Sequence, residues 1–96
     1  MKKLWGKLYQ NNRMIKDETA QLHVTVDEDG FDQDLQGSAM DSLMEICSTM
    51  DIENPIWFDS NTEEFLRRRK TRFLPGNFMD TPSFDRLDIE VIETPE

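Results

Sequence analysis

Ninety-six residues with 20 acidic and 11 basic side chains give a formal net charge of -9, with 36% hydrophobic and 32% charged residues. That length suits one domain over residues 1–96 with a modest core. The longest aliphatic or aromatic run, Ile56-Trp57-Phe58, is far too short to cross a bilayer. A lone cysteine, Cys47, excludes an intramolecular disulfide, and Lys7 interrupts the apolar stretch an export signal would need. A reducing cytoplasm is therefore the expected compartment, with no membrane partner.

Residues 3 to 16 read as a β-hairpin, because Asn11-Asn12 tolerates the positive φ angles of a two-residue turn. That turn pairs Tyr9 with Met14, Leu8 with Ile15 and Lys7 with Lys16. It places Leu4, Leu8 and Ile15 on one face, and Trp5, Tyr9 and Met14 on the other. The next alternating run, Leu22 to Val26, has the opposite parity, so a bulge or break near Asp17 to Thr19 is expected to restore a common face. Asp27 to Asp32 is a polar turn or loop.

A helix is expected over residues 36 to 50, with Leu35, Ala39, Leu43, Cys47 and Met50 in one stripe. Met40, Met44 and Ile46 broaden that stripe, and Asp34 or Ser38 caps the helix. After the Asn54-Pro55 break, Ile56-Trp57-Phe58 reads as a short buried strand. Ser60 to Glu64 then opens a second helix with capping-box spacing, ending near Arg72. Pro75-Gly76-Asn77 forces a turn, and Leu87 to Val91 alternates as a half-buried strand. The expected fold class is α+β: a small, mostly antiparallel sheet, made of the N-terminal hairpin, the Leu22 strand and the C-terminal strand, covered by two helices.

Few motifs carry chemistry. Aligning Gly30 with the glycine of a calcium-binding EF-hand loop puts Asp27 and Asp29 at ligand positions. It leaves Thr25 and Gln36 where essential carboxylates belong, so a solvated turn is the better account. One histidine, His23, and one cysteine cannot build a zinc site, and Cys47 sits in the apolar stripe of a helix, unlike a nucleophile. Gly6, Gly30, Gly37 and Gly76 are scattered and form no phosphate loop. No metal, cofactor or catalytic residue is assigned; an enzyme with an unrecognised carboxylate site rests only on the number of acids.

Charge is segregated instead. Residues 1 to 16 hold five bases and no acid, whereas residues 17 to 66 contain no lysine or arginine. A second basic cluster follows at Arg67, Arg68, Arg69, Lys70 and Arg72. Such a cluster can neutralise phosphates, but Glu63 with Arg67 and Glu64 with Arg68 also sit at the helical ion-pair spacing, which favours a solvated or internally paired helix end. The hairpin face carrying Trp5, Lys7, Tyr9 and Lys16 interleaves aromatic and basic groups like a stacking platform, with core packing of the aromatics beneath a helix as the favoured alternative.

Leu4-Trp5-Gly6-Lys7, Asn12 to Asp17, Pro55 to Phe58, Lys70 to Phe73 and Phe84 to Leu87 together resemble a family of small bacterial proteins of unassigned function, mainly from clostridia-like Gram-positive species. The likeness runs nearly end to end. It implies a stand-alone protein of the bacterial cytoplasm and carries no ligand or catalytic residue with it. The leading expectation is a non-enzymatic module that binds protein or self-associates through its sheet; nucleic-acid binding through the basic and aromatic face is the alternative.

Overall fold

The structure, a computed structural model, describes residues 2–22, 25–26, 32–33 and 35–93. Strands β1 (Lys2–Gln10) and β2 (Arg13–Gln21) form the hairpin. Asn11 and Asn12 both adopt positive φ, 54° and 62°, so the turn is the expected one, and Tyr9 faces Met14. Beyond that pair the register slips: Leu8 faces Lys16 and Lys7 faces Asp17, in place of the expected Ile15 and Lys16.

Ile15 is the extra residue of a β-bulge, so the break falls closer to the turn than the sequence parity implied. The parity problem is solved all the same. Ala20 comes opposite Leu4, and Ala20 and Leu22 join Leu4 and Leu8 in the interior. Ile15 itself is left 46% exposed instead of packing with Leu4 and Leu8.

Of the expected Leu22 to Val26 strand, His23 and Val24 lie outside the described residues. Thr25–Val26 (β3) pairs antiparallel with Asp32–Gln33 (β4) in a separate small ribbon. The intervening acidic turn and Asp34 also lie outside the described residues, while Ser38 sits within the helix and not at its cap.

Helix α1 (Leu35–Met50) buries the stripe Leu35, Ala39, Leu43, Ile46, Cys47 and Met50. Met40 and Met44 were expected to widen it, but both are exposed; Ser38 and Ser42 take that flank. The small serines let the helix come close to β2, where Ser42 Oγ donates to the Gln21 carbonyl at 2.9 Å. Gly6 serves the same approach from β1. A Cβ built there would stand 2.8 Å from Ile46 Cγ2, closer than two carbons can sit.

Helix α2 (Asp59–Arg68) starts one residue before Ser60, behind Phe58. The Asn61 side chain accepts the Phe58 N–H at 3.0 Å, doing what the capping-box glutamate was expected to do. The expected Ile56 to Phe58 strand does not form: Ile56 and Phe58 are exposed. Only Trp57 turns inward, edge-on to Phe65 and Phe73 with centroids 5.5 and 5.2 Å apart.

The second helix also stops short of Arg72. Arg69 takes a left-handed φ of 61° and donates its N–H to the Phe65 carbonyl, a helix-ending geometry. Lys70–Phe73 then runs as a strand, β5, with Thr71 and Phe73 buried and Lys70 and Arg72 outside. A 3-10 turn over Pro75–Asn77 follows, and β6 (Arg86–Glu93) closes the sheet.

All pairings in the main sheet are antiparallel, in the order β2-β1-β6-β5. The result is an open four-stranded α+β sheet with both helices packed on the face that carries Leu4, Leu8, Ala20, Phe73, Leu87 and Ile89. Among the described residues no helix is long and apolar enough to cross a membrane.

Candidate functional surface

The sheet face away from the helices assembles most of the candidate residues. Alternation sends Trp5, Lys7 and Tyr9 of β1 outward, with Arg86, Asp88 and Glu90 of β6 and Lys70 and Arg72 of β5. Register aligns these in rows. Asp17, Lys7, Asp88 and Arg72 follow one another across all four strands with alternating sign; Thr19, Trp5, Glu90 and Lys70 form the next row.

Opposite charges on this face are in contact. Lys7 Nζ donates to Glu90 Oε1 at 2.7 Å, and only 17% of the lysine side chain is exposed. Asp88 Oδ1 stands 3.3 Å from both Arg72 Nε and Arg86 Nε, and Arg86 Nε donates to Asp88 Oδ2 at 3.3 Å. The aromatic faces are occupied too: Lys7 Nζ lies 4.3 Å from the Trp5 ring centroid and Arg86 lies 4.0 Å from that of Tyr9. Trp5 and Tyr9 therefore neither pack beneath a helix nor offer bare stacking surfaces.

Lys16 does not belong to this face. The bulge at Ile15 turns it to the side of Leu8, and its Nζ reaches the Met50 carbonyl at 3.4 Å. Asp17 takes the place opposite Lys7 and accepts the Trp5 indole N–H at 3.0 Å. An acid thus stands where the sequence register had put a base.

The arginine cluster is divided by the end of α2. Arg68, Lys70 and Arg72 join Lys7 around an open groove of about 620 Å³, but Glu64, Asp88 and Glu90 line it as well. Arg69 donates its guanidinium to the Leu66 carbonyl, and Arg67 is exposed outside the groove. The expected pairs of Glu63 with Arg67 and Glu64 with Arg68 do not form ion pairs; Lys7 and Arg72 find their acids on β6.

Cys47 is fully buried, and desolvation pushes its thiol from an ordinary 9.0 up to about 12, the opposite of what a nucleophile needs. Its relation to His23 lies outside the described residues. Among the described residues no three His, Cys, Asp or Glu side chains converge as a metal site.

The sheet edges differ. At β5 the strand is four residues long, and the Arg72 carbonyl accepts from Asn61 Nδ2 at 2.9 Å. At β2 the edge is nine residues long and exposed at most positions. The Leu22 N–H donates to the Lys2 carbonyl, so by alternation Ala20 and Glu18 turn their backbone groups toward β1, while Gln21, Thr19 and Asp17 turn theirs away. Ser42 covers the Gln21 carbonyl; among the described residues nothing bonds to the outward N–H and C=O groups of Thr19 and Asp17. Exposed Met14 and Ile15 continue this edge toward the turn, beside a hollow of about 340 Å³ whose lining includes Leu8, Ile15, Met50 and Phe84.

Comparison with known proteins adds no relative. No family model, curated protein or solved structure matches this chain. The free edge of β2 was legible only as a strand in the sequence; that it would lie outermost depended on pairing with the distant β6.

Proposed function

We propose that the chain is a non-enzymatic protein-association module of the bacterial cytoplasm, acting by strand addition at the β2 edge. The outward-facing backbone groups of Thr19 and Asp17, on a long outer strand that no segment among the described residues covers, carry this reading. An unpaired strand edge is a template for another extended chain: main-chain hydrogen bonds supply affinity, and neighbouring side chains supply selectivity. The single cysteine and the resemblance to small bacterial proteins support the compartment.

Nucleic-acid binding through Trp5, Lys7, Tyr9 and the Arg67 to Arg72 segment has less support. A phosphate would have to displace Asp88 and Glu90 from Arg72 and Lys7, and a base would have to displace the cations lying over both rings.

A photo-crosslinking side chain at Met14, beside the edge, tests the proposal in living cells, with Met44 on the outer side of α1 as the control position. Discrete protein adducts from Met14 that are absent from Met44 are expected. Absence of adducts at Met14, or the same adducts from both positions, overturns it.

A further inference from the structure

We infer that the occupant of the β2 edge is a second copy of this chain, paired antiparallel about a two-fold axis at Thr19. This rests on the strand-addition reading above and adds a partner and a register to it. An edge-to-edge pair of identical strands must be self-complementary, so each register is defined by the residue that meets itself.

The side chains of β2 discriminate among these registers. An axis at Lys16 sets two lysines face to face, an axis at Asp17 two aspartates, and an axis at Glu18 two glutamates; like charges directly opposite one another repel. An axis at Ala20 shortens the overlap to residues 18–22 and drops Asp17 from the hydrogen-bonded pairs, leaving only Thr19 with Gln21. At Thr19 the conflicts vanish. Thr19 meets Thr19, Glu18 meets Ala20, Asp17 meets Gln21 and Lys16 meets Leu22, with no like pair facing.

The backbone agrees with that choice. Thr19 turns both its N–H and its C=O outward, so the central pair exchanges two hydrogen bonds, and each Asp17 reaches Gln21 of the other copy. The Gln21 carbonyl has a second lone pair beyond the one Ser42 uses. The bulge at Ile15 ends the straight portion of the strand, which limits the pairing to residues 16–22. On the outer face, Thr19 lies opposite Trp5 in its own hairpin, so the row across the junction would read Trp5, Thr19, Thr19, Trp5.

So short an interface falls below the roughly 1,200 Å² of a standard stable complex, and two chains of charge -9 repel. The dimer is accordingly concentration-dependent and strengthens as salt is raised, the reverse of an association driven by opposite charges.

Sedimentation velocity on the full chain tests this with Thr19→Lys and Thr19→Glu, at an exposed position where neither side chain enters the core. Each variant alone should dimerise about tenfold more weakly than wild type, because like charges then face across the axis. Thr19→Lys should do so although it lowers the net charge. An equimolar mixture should recover dimer as the mixed pair. Circular dichroism of each variant confirms that the fold is retained.

Three results overturn the inference: a wild-type chain that stays monomeric at high salt and high concentration, a Thr19→Lys variant that dimerises as well as wild type, or a mixture no better than its components. A monomeric chain that still gives adducts with another protein from Met14 sinks the self-pairing and leaves strand addition standing. Wild-type dimers indifferent to both Thr19 variants and giving no Met14 adduct sink both.

Discussion

Replacing Asn61 by alanine should cost this protein a large share of its stability. Asn61 is buried beneath the start of α2 and uses its whole amide: Oδ1 accepts from the Phe58 N–H at 3.0 Å and from Asn77 Nδ2 at 2.9 Å, and Nδ2 donates to Thr71 Oγ1 at 3.0 Å and to the Arg72 carbonyl at 2.9 Å. Asn77 extends the network by donating to the Ile56 carbonyl at 2.8 Å and accepting the Leu74 N–H at 3.0 Å. The pair thus ties the 51–58 segment, the start of α2, β5 and the 3-10 turn together.

Four lost hydrogen bonds at about 1 kcal/mol net each set the scale, and buried groups left without partners add to it. Relaxation into the space of the amide offsets part of the sum, giving about 3–5 kcal/mol against the ~5–15 kcal/mol typical of a whole domain. Urea unfolding followed by the fluorescence of Trp57, in a Trp5→Phe background, measures it. Asn77→Ala and the double variant complete a cycle, in which the shared Asn61–Asn77 bond should make the two losses non-additive by ~1 kcal/mol or more. A loss below ~1 kcal/mol for Asn61→Ala, or strict additivity, would refute the reasoning.

Other consequences can be checked in the same assay. Gly6→Ala drives a methyl against Ile46 and should destabilise by about 1–3 kcal/mol, partly recovered by Ile46→Leu, which lacks the β-branch methyl. Deleting Ile15 removes only the bulge residue and leaves every inward and outward position unchanged, so the variant should fold within ~1 kcal/mol of wild type. Deleting Thr19 turns Lys16 and Glu18 across the sheet relative to Ala20 and Leu22, and should abolish cooperative unfolding. Since the Cys47 thiol is raised from 9.0 to about 12, the unfolded chain releases that proton first. Its contribution to stability is therefore complete below about pH 9 and lost as pH climbs toward 12. Between those values Cys47→Ala should show a shallower decline with pH than wild type, and a thiol reagent at neutral pH should modify wild type only as fast as the chain opens.

The parts of this fold that were legible in the sequence are those fixed by neighbours along the chain. Asn11-Asn12 announces its turn, the Leu35 to Met50 stripe its helix, and Leu87 to Val91 its strand, because turn angles and hydrophobic period are local properties. Cys47 was placed in the core by the same logic. The bulge at Ile15 was expected but misplaced, since parity says that a correction is needed and not where. Lys70 to Arg72 looked like the tail of a helix because its bases fit the helix end; the two-residue alternation of Lys70 to Phe73 acquires meaning only when β6 lies beside it. The same distant pairing gathers Lys7, Lys70 and Arg72 on one face and gives them acids from β6. Asn61 and Asn77 read only as parts of a helix start and a turn, as a buried amide is recognisable only once all its partners are in place.

The position of β6 at the centre of the sheet bears on how the molecule is made. Its residues leave the ribosome after those of every other described strand, yet it alone joins the hairpin to β5. Until then a nascent chain holds the hairpin and an unpaired β5, with an open seam between them where β6 will insert, and Leu4, Leu8 and Phe73 remain only partly covered. A message cut before Arg86 would yield a polypeptide with both helices encoded but without the strand that joins the hairpin to β5, a substrate for chaperones and proteases.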